Sequence, residues 1–538
     1  MKFEFDSKKI NRIYGCALAL VFVIALSFRL VGINWGMPYS NLHPDEGFVY
    51  EEAYHCTLNH SFEPRTYFRP NHVSIKLNTL LYIGIQELCF EPKGMSDFSY
   101  NFNEEFPLFM TASRALTALL GFGCVVLAYL IARFWDSKKA LLAALLFAVF
   151  PAFIEHSHYL TPDIPLLFFL MGALWAALNY SKNPKITWLF FMSFFTALAT
   201  CEKYPGLYGC VIIACVVIIT RIKKPLLIVR DGFLSIIFLL LGILAVSPVL
   251  ITDFRAVLEA IQGQNHTYHL GADGLNWGET ILFYGKTTAV HVGLILTLCA
   301  VYGIIRSFKG HVKETVLLLV FLLYVVPISS LSVHWERYTL PIYTIHLLFG
   351  AFGALYLYDD VRTRVSDKSW PKVIAFLLII ALPIGSLSAG AFAISGRFLA
   401  PDSRIALQST VEGIGVNADN TQFDCNTPLD PGGYYGAFRN FADCDPSQYI
   451  YNGQPTYVMT SSAQRDLYFT SNQEMYGGIA KFYHLLDDNY PMVAYYPVEN
   501  PTFHFLEVVN LWSSARSVWR YLRGAMTGYE IRVYQLVN

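Results

Sequence analysis

Apolar runs of about twenty residues recur along the chain, separated by short polar turns. That is the pattern of helices crossing a bilayer, where hydrocarbon offers no partner to an unpaired backbone group. The runs lie near 12–33, 107–133, 140–154, 164–180, 186–201, 206–220, 232–252, 286–305, 314–331, 338–357 and 373–395. They predict eleven transmembrane helices. The first run follows Lys8, Lys9 and Arg12 as a signal peptide would, but no small-x-small site follows and Arg29 lies inside it. An uncleaved first helix is therefore expected. The stretch 73–90 (VSIKLNTLLYIGIQELCF) is apolar but interrupted by Lys76, Asn78, Gln86 and Glu87. It suits a helix lying in the interface, with a twelfth crossing as the alternative. Beyond residue 396 the pattern changes to Gly/Pro/Asn turns around the short runs 457–461, 492–498 and 529–537, with helix-like stretches at 403–413 and 508–523. This predicts a transmembrane domain over 1–396 and a small external α/β domain over 397–538.

Composition agrees with that reading. Of 538 residues, 54% are hydrophobic and 15% charged, and mean hydropathy is +0.40; soluble chains carry about 25% charged residues. A soluble enzyme, a disordered chain and a basic nucleic-acid binder are excluded. The 41 Phe, 34 Tyr and 9 Trp supply two interfacial belts. The net charge of −1 hides a separation of sign. Alternate loops are basic (Arg133/Lys138/Lys139, Lys182/Lys185, Arg221/Lys223/Lys224/Arg230, Arg306/Lys309/Lys313, Arg362/Arg364/Lys368/Lys372), whereas the opposite short loops hold chiefly Lys203 and Arg337. By the positive-inside rule the N-terminus is cytoplasmic and the C-terminal region external, in a plasma (inner) membrane. The first loop, 34–106, carries ten acids against four bases, and residues from 397 onward carry 14 acids against nine bases. Among the cysteines, Cys425 and Cys444 form a candidate disulfide pair and Cys56 and Cys89 a weaker one.

Four clusters on the predicted external face carry candidate chemistry. His43-Pro44-Asp45-Glu46 places two carboxylates just beyond the first span. They could supply a general base, bind a cation, or merely open a helix whose dipole favours acids. Residues 155–163 (EHSHYLTPD) bring Glu155, His156, His158 and Asp163 between two spans; Thr161 could be only a helix cap, and a metal site fits no helical ligand spacing. In Glu202-Lys203-Tyr204-Pro205-Gly206, Lys203 could snorkel to head groups or bind a phosphate. In His334-Trp335-Glu336-Arg337-Tyr338, Arg337 has the planar fork that suits a phosphate, or it pairs with a neighbouring Glu. Arg69, in Tyr67-Phe68-Arg69-Pro70, is a further outer cation. Acids and phosphate-suited cations on one membrane face point to an enzyme acting on a membrane-borne phosphate substrate.

The order and wording of these clusters resemble glycosyltransferase family 39, the protein O-mannosyltransferases and lipid A aminoarabinose transferases. The matching stretches are FRLVGINWGMPYSNLHPDEGFVYEEA, YFRPNHVSIKLNTLLYIGIQELCF, SRALTALLGFGCVVLAYLIAR, HYLTPDIPLLFF, TCEKYPGLYG and HWERYTLPIY. The resemblance implies a GT-C fold and an inverting glycosyltransferase that moves a sugar from a polyprenyl-phosphate donor to an acceptor hydroxyl on a lipid, glycan or protein. By position, Asp45 resembles the family's catalytic acid of the first loop, with Glu46 beside it, and Asp163 the second acid. Lys203 resembles the TKY-type lysine and Arg337-Tyr338 the RY pair; with Arg69 these are the candidate phosphate-binding residues. His43, His158 and Tyr204 are candidate substrate contacts. The aminoarabinose transferases carry Phe-Glu-Lys-Pro where this chain has Phe68-Arg69-Pro70, which argues against that subtype's substrate. No cofactor is required by this chemistry, and a divalent metal could share the phosphate's charge. A flippase of lipid-linked sugars and a non-catalytic receptor are the alternatives; a flippase is expected to show internal repeats and midplane polar groups, which the charge pattern does not.

Overall fold

A computed structural model describes residues 7–39, 43–65, 70–90, 97–263, 274–331, 333–365, 369–417, 419–424, 437–438, 445–449, 456–470 and 473–536. The protein is an integral membrane protein built mainly of helices. Among the described residues, seven are long and apolar enough to cross a bilayer: Arg12–Leu30, Phe106–Ala132, Asp163–Lys182, Tyr204–Arg221, Pro225–Val246, Glu336–Arg364 and Trp370–Leu399. Two bent pairs raise the number to nine, Ser137–Val149 with Pro151–Ser157 at 57° and Trp277–Val292 with Leu294–Ser307 at 110°.

All eleven predicted runs are helical, but they differ in continuity. The run 186–201 is the 17-residue helix Ile186–Glu202. The run 314–331 is split into Val312–Leu322 and the single turn Val325–Ile328. Pro327 lacks the N–H that would bond the carbonyl of Leu323, where the first piece ends. The run 286–305 is no single span, because Gly293 stands at φ +89° and turns the chain between two helices.

Breaks inside a membrane strand polar backbone groups, and each bent pair is repaired by a charged side chain from a distant element. At the first break Pro151 cannot donate to Phe147 O. Arg29, fully buried, donates from Nη2 to Phe147 O at 3.0 Å and from Nη1 to Ala148 O at 3.2 Å. At the second, the N–H of Leu294 donates to Phe505 O at 2.8 Å, and that of Ile295 to Glu507 Oε1 at 2.6 Å. Such pairing is what allows non-continuous helix within hydrocarbon.

The first loop folds onto the bundle as three helices, Gly47–Leu58, His72–Cys89 and Phe98–Glu104, around an aromatic cluster that includes Tyr82, Phe98, Phe102 and Phe109. The stretch 73–90 is thus one helix that keeps Leu80 and Leu88 outward, as expected for an interface helix. Cys56 is buried and Cys89 exposed, both free, so the weaker disulfide expectation is corrected; Cys425 and Cys444 lie outside the described residues. In the C-terminal region, β1 (Thr421–Phe423), β2 (Ala437–Phe438), β3 (Thr456–Ser461), β4 (Met492–Tyr496) and β5 (Ile531–Leu536) form one mixed sheet in the order β2-β1-β3-β5-β4. β1 is parallel to β2 and β3, while β5 is antiparallel to β3 and β4. Helices Ser462–Thr470 and Gln473–Asn489 complete its core through Tyr468, Phe482 and Leu486. The helix Glu507–Leu522 packs instead along the last span.

Close helix packing at the centre depends on glycine. Helix Leu294–Ser307 crosses Leu340–Arg364 where Gly303 faces Phe349 O and Gly353 faces Cys299 O, and a Cβ at either would overlap the opposing backbone. Gly353→Val is expected to destabilise the folded protein by about 3 kcal/mol or more, read as a lowered Tm in detergent. Gly385→Ala, where a Cβ meets nothing within 4 Å, is expected to leave Tm unchanged.

Candidate active site

Four chain segments converge at one end of the bundle, here termed the site face. Asp45 directly precedes helix Gly47–Leu58, and Asp163 opens helix Asp163–Lys182 after Pro162. Lys203 ends helix Ile186–Glu202 in extended conformation before the tight turn Tyr204–Tyr208. The turn is close because Gly206 lies against the carbonyl of Ala199, where no Cβ would fit. Arg337 and Tyr338 sit in the first turn of the span Glu336–Arg364.

The convergence produces three acid–cation pairs. Lys203 Nζ donates to Asp163 Oδ1 at 2.7 Å and lies 4.6 Å from the centre of the Tyr338 ring. Arg337 Nη1 pairs with Asp45 Oδ2. Arg397, at the end of the last span, donates to Glu155 Oε1 at 2.6 Å. The sequence expectation of two outer cations awaiting a ligand is therefore refined: Lys203 and Arg337 already hold carboxylates. Spare donors remain, since Arg337 Nε is buried with no partner among the described residues.

Two cavities flank these pairs. One, of about 480 Å³, has Asp163, Lys203 and Asn71 at its polar end and Leu207, Tyr208, Ile261, Tyr324, Ile328 and Leu331 along its walls. The other, of about 910 Å³, is the more polar of the two and lies between the bundle and the C-terminal region, lined by His43, Glu155, His156, Glu336 and Arg397 together with Gln464, Asp466 and Tyr529. Asp45, Leu331, Arg337 and Tyr338 line both. The Asp45–Arg337 pair is thus part of the wall that separates an apolar chamber from a polar one.

Of the other expected site residues, Tyr204 and His43 lie around this wall. Tyr204 lines the apolar cavity. His43 lines the polar one; its Nδ1 accepts from the Asp45 N–H at 3.2 Å and its ring lies 4.4 Å from that of Tyr159. Burial pushes the His43 imidazole down to about 4, so it is neutral at physiological pH. Two expectations need correction. Glu46 lines neither cavity: it is buried, takes both N–H groups of the Arg114 fork at 2.9 and 2.8 Å, and accepts from Leu160 N at 3.0 Å. Arg114 also donates to Trp35 O at 2.8 Å, so Glu46 positions the loop that carries Asp45 and is not a catalytic group. His158 is fully buried, with Nδ1 2.9 Å from Ile154 O, Nε2 2.9 Å from Val31 O and its ring stacked on Phe398. It ties the end of the first span to the loop before Asp163 and lines neither of these two cavities.

Arg69 lies outside the described residues. Both clusters open helices, as the alternative reading has it, but neither Glu46 nor Pro162 caps its helix through a side chain and Thr161 Oγ1 has no partner among the described residues. No three His, Cys, Asp or Glu side chains among the described residues gather to hold a metal ion. Sequence reasoning missed Arg397 and Arg114. Arg397 breaks the same charge rule that singled out Lys203 and Arg337, and Arg114 is an arginine inside a predicted span, so both signals were present. Glu202 was noted only as a neighbour of Lys203. Fully buried, it accepts from Ser74 N at 2.9 Å and Ser74 Oγ at 2.5 Å, fixing the start of helix His72–Cys89 against the Lys203 turn.

Comparison with known proteins bears on the fold and the family resemblance. Residues 65–261 match the family model described as dolichyl-phosphate-mannose-protein mannosyltransferase. Over 172 residues, 31% of this chain, the sequence is 29% identical to dolichyl-phosphate-mannose–protein mannosyltransferase 1 of Saccharomyces cerevisiae. That match spans only 19% of the yeast protein's length. The fold is similar to ArnT from Cupriavidus metallidurans bound to undecaprenyl phosphate, at 13% identity, covering 87% of this chain and 96% of that one with a TM-score of 0.50. It is also similar to the Archaeoglobus fulgidus oligosaccharyltransferase in the apo form, at 12% identity, covering 97% of this chain and 88% of that one with a TM-score of 0.51. The fold is of GT-C type, and the resemblance to glycosyltransferase family 39 read from the motifs is borne out.

Two tests follow from the geometry. Glu46→Ala leaves the Arg114 guanidinium buried and uncompensated, and is expected to cost about 3–5 kcal/mol of stability, measured as loss of folded protein on purification or a large drop in Tm. For His43, the folded group binds its proton only near pH 4, while the unfolded chain binds it near the ordinary 6.5. Its contribution to stability is whole above pH 6.5 and is lost as pH falls toward 4. His43→Gln is expected to flatten the fall of Tm between pH 6.5 and 4.

Proposed function

We propose that the protein is an inverting glycosyltransferase that moves a sugar from a polyprenyl-phosphate donor to an acceptor hydroxyl. The single observation that carries the proposal is the shared wall. Asp45 and Arg337 stand between a chamber suited to a lipid phosphate and one suited to a polar acceptor. Reaction across such a wall requires a base facing the acceptor and cations facing the leaving phosphate, and the pair supplies one of each.

The apolar walls of the smaller cavity suit a polyprenyl chain, with its phosphate at Lys203 and the free Nε of Arg337. The donor class named in the matched family's description, dolichyl-phosphate-mannose, is of the same chemistry. Asp45 accepts the proton of the acceptor hydroxyl as its oxygen attacks the anomeric carbon. The new carbon–oxygen bond forms on the face opposite the departing phosphate, whose bond to that carbon breaks with its electron pair, and the configuration inverts. Polyprenyl phosphate leaves as an anion stabilised by Lys203 and Arg337 in a low-dielectric site, so no general acid is needed. Donor phosphate competes with Asp45 for Arg337, and its arrival frees the carboxylate to act as base.

The acceptor, a lipid, glycan or protein hydroxyl, enters from the polar cavity beside Glu155 and Arg397. Supporting an external site face, the basic loops 133–139, 182–185 and 221–230 lie at the other end of the helices, where the positive-inside rule places the cytoplasm. By this reading the protein works in the plasma membrane, with its C-terminal region outside.

The test compares glycans and lipids by mass spectrometry from cells with the wild-type chain, Asp45→Asn and Lys203→Ala. Loss of a general base lowers rates by about 10²–10⁴-fold, so Asp45→Asn is expected to abolish the transferred sugar while inserting normally in the membrane. Lys203→Ala is expected to lower transfer by about 10²-fold. Wild-type transfer by Asp45→Asn would overturn the base assignment.

A further inference from the structure

The helix Glu507–Leu522 is inside out. Its buried positions are Glu507, Asn510, Ser514 and Ser517. Its outward stripe is Val508, Trp512, Ala515, Trp519 and Leu522, at helical spacing of three and four residues. The four large side chains of that stripe are 63%, 75%, 57% and 77% exposed, respectively. A helix on a water-facing surface turns its polar side outward; here the polar side faces protein.

The buried side is packed along the last span. Asn510 Nδ2 donates to Ser386 Oγ at 2.9 Å, and Gly396 lies against the Tyr521 ring. Both partners advance in the same direction, so the helix begins deep and runs toward the site face beside Trp370–Leu399. Ser386 lies about 20 Å along that span from Leu399, at 1.5 Å per residue, near the middle of the 30-residue helix Trp370–Leu399. The segment leading to the helix descends antiparallel to it. His504 N donates to Asn510 Oδ1 at 3.3 Å, Ser513 Oγ to Thr502 O at 3.1 Å, Ser517 Oγ to Glu499 Oε1 at 2.9 Å and Tyr521 OH to Glu499 O at 2.6 Å. The tip of this hairpin is where Phe505 O and Glu507 meet the broken helix at Leu294 and Ile295. The basic residues Arg516, Arg520 and Arg523 all fall in the later half of the helix and beyond it, toward the site face, where Arg520 pairs with Glu499.

We infer that residues 499–522 form a re-entrant hairpin that dips into the bilayer from the site face, with Val508, Trp512, Trp519 and Leu522 facing acyl chains. The occupant of the exposed apolar stripe is lipid hydrocarbon. The stripe continues the outward apolar surface of the neighbouring span, where Phe392 and Leu399 are also exposed, and its polar reverse side leaves no water-facing alternative. The hairpin joins the C-terminal region to the bundle through the membrane as well as above it.

The experiment uses the full chain in lipid nanodiscs, with Cys16, Cys89, Cys425 and Cys444 changed to Ser. A nitroxide is attached in turn through W512C, V508C and D488C, the last on an exposed position of the C-terminal region. Power-saturation EPR then compares relaxation by oxygen, which concentrates in hydrocarbon, with relaxation by a water-soluble nickel complex. The expected result is oxygen-dominated relaxation at 512 and 508 and nickel-dominated relaxation at 488. Nickel access at 512 and 508 matching that at 488 would overturn the inference. Exclusion of both reagents would also overturn it, since a protein and not lipid would then cover the stripe. V508C stands as the second variant should W512C fail to fold.

Discussion

Hydrocarbon does not solvate a peptide group, and much of this molecule is arranged to meet that constraint. Two of its helix pairs are bent within the bundle, and both breaks would leave backbone groups unpaired. Neither is mended by its own helix. Arg29, from the first span, serves carbonyls at the turn near Phe150, and Glu507, from far along the chain, serves amides at the turn of Gly293. Cation meets the carbonyl end of a helix and anion meets the amide end, each the favourable sense for the helix dipole.

The same economy of charge governs the site face. Lys203, Arg337 and Arg397 each hold one carboxylate, so the smaller chamber balances two acids against two cations, while the larger keeps Glu336 and Asp466 in excess and is acidic. Buried ion pairs add little net stability, because desolvation offsets their attraction. What they supply is preorganisation: donors already oriented and already stripped of water where a phosphate's charge would appear. Behind them stands a second layer that lines neither of the two chambers. Glu46 with Arg114 fixes the Asp45 loop, Glu202 with Ser74 fixes the Lys203 turn, and His158 with Phe398 fixes the approach to Asp163.

Much of this was legible in the sequence, for reasons that differ by residue. Hydropathy exposed every helical run because a spanning helix repeats one chemical demand over twenty residues. The charge rule exposed Lys203 and Arg337 because a cation on that face is an exception. The strands at 457–461, 492–498 and 529–537 were visible from alternation and turn residues. What could not be read was partnership. Nothing local distinguishes Glu46, held by Arg114, from its neighbour Asp45, which faces both chambers. Nor did the run 286–305 disclose its bend, since Gly293 is an ordinary residue until Glu507 is placed beside it. The stretch 508–523 was visible as helix-like, but that reading does not say which of its faces is inside.

The contact between Glu507 and the amide of Ile295 also has a meaning in time. A ribosome delivers the helix Leu294–Ser307 long before it delivers residue 507, so for that interval the helix rests in the membrane without its distant cap. During synthesis the bundle is therefore held in an incomplete form, open where the turn at Gly293 awaits its partner. Completion comes only once residue 507 has been made, late in synthesis. Premature termination anywhere before residue 507 would leave a fault deep in the transmembrane part, far in space from the missing sheet. Quality control that surveys polar groups in the bilayer would thus be reading the integrity of the chain's far end.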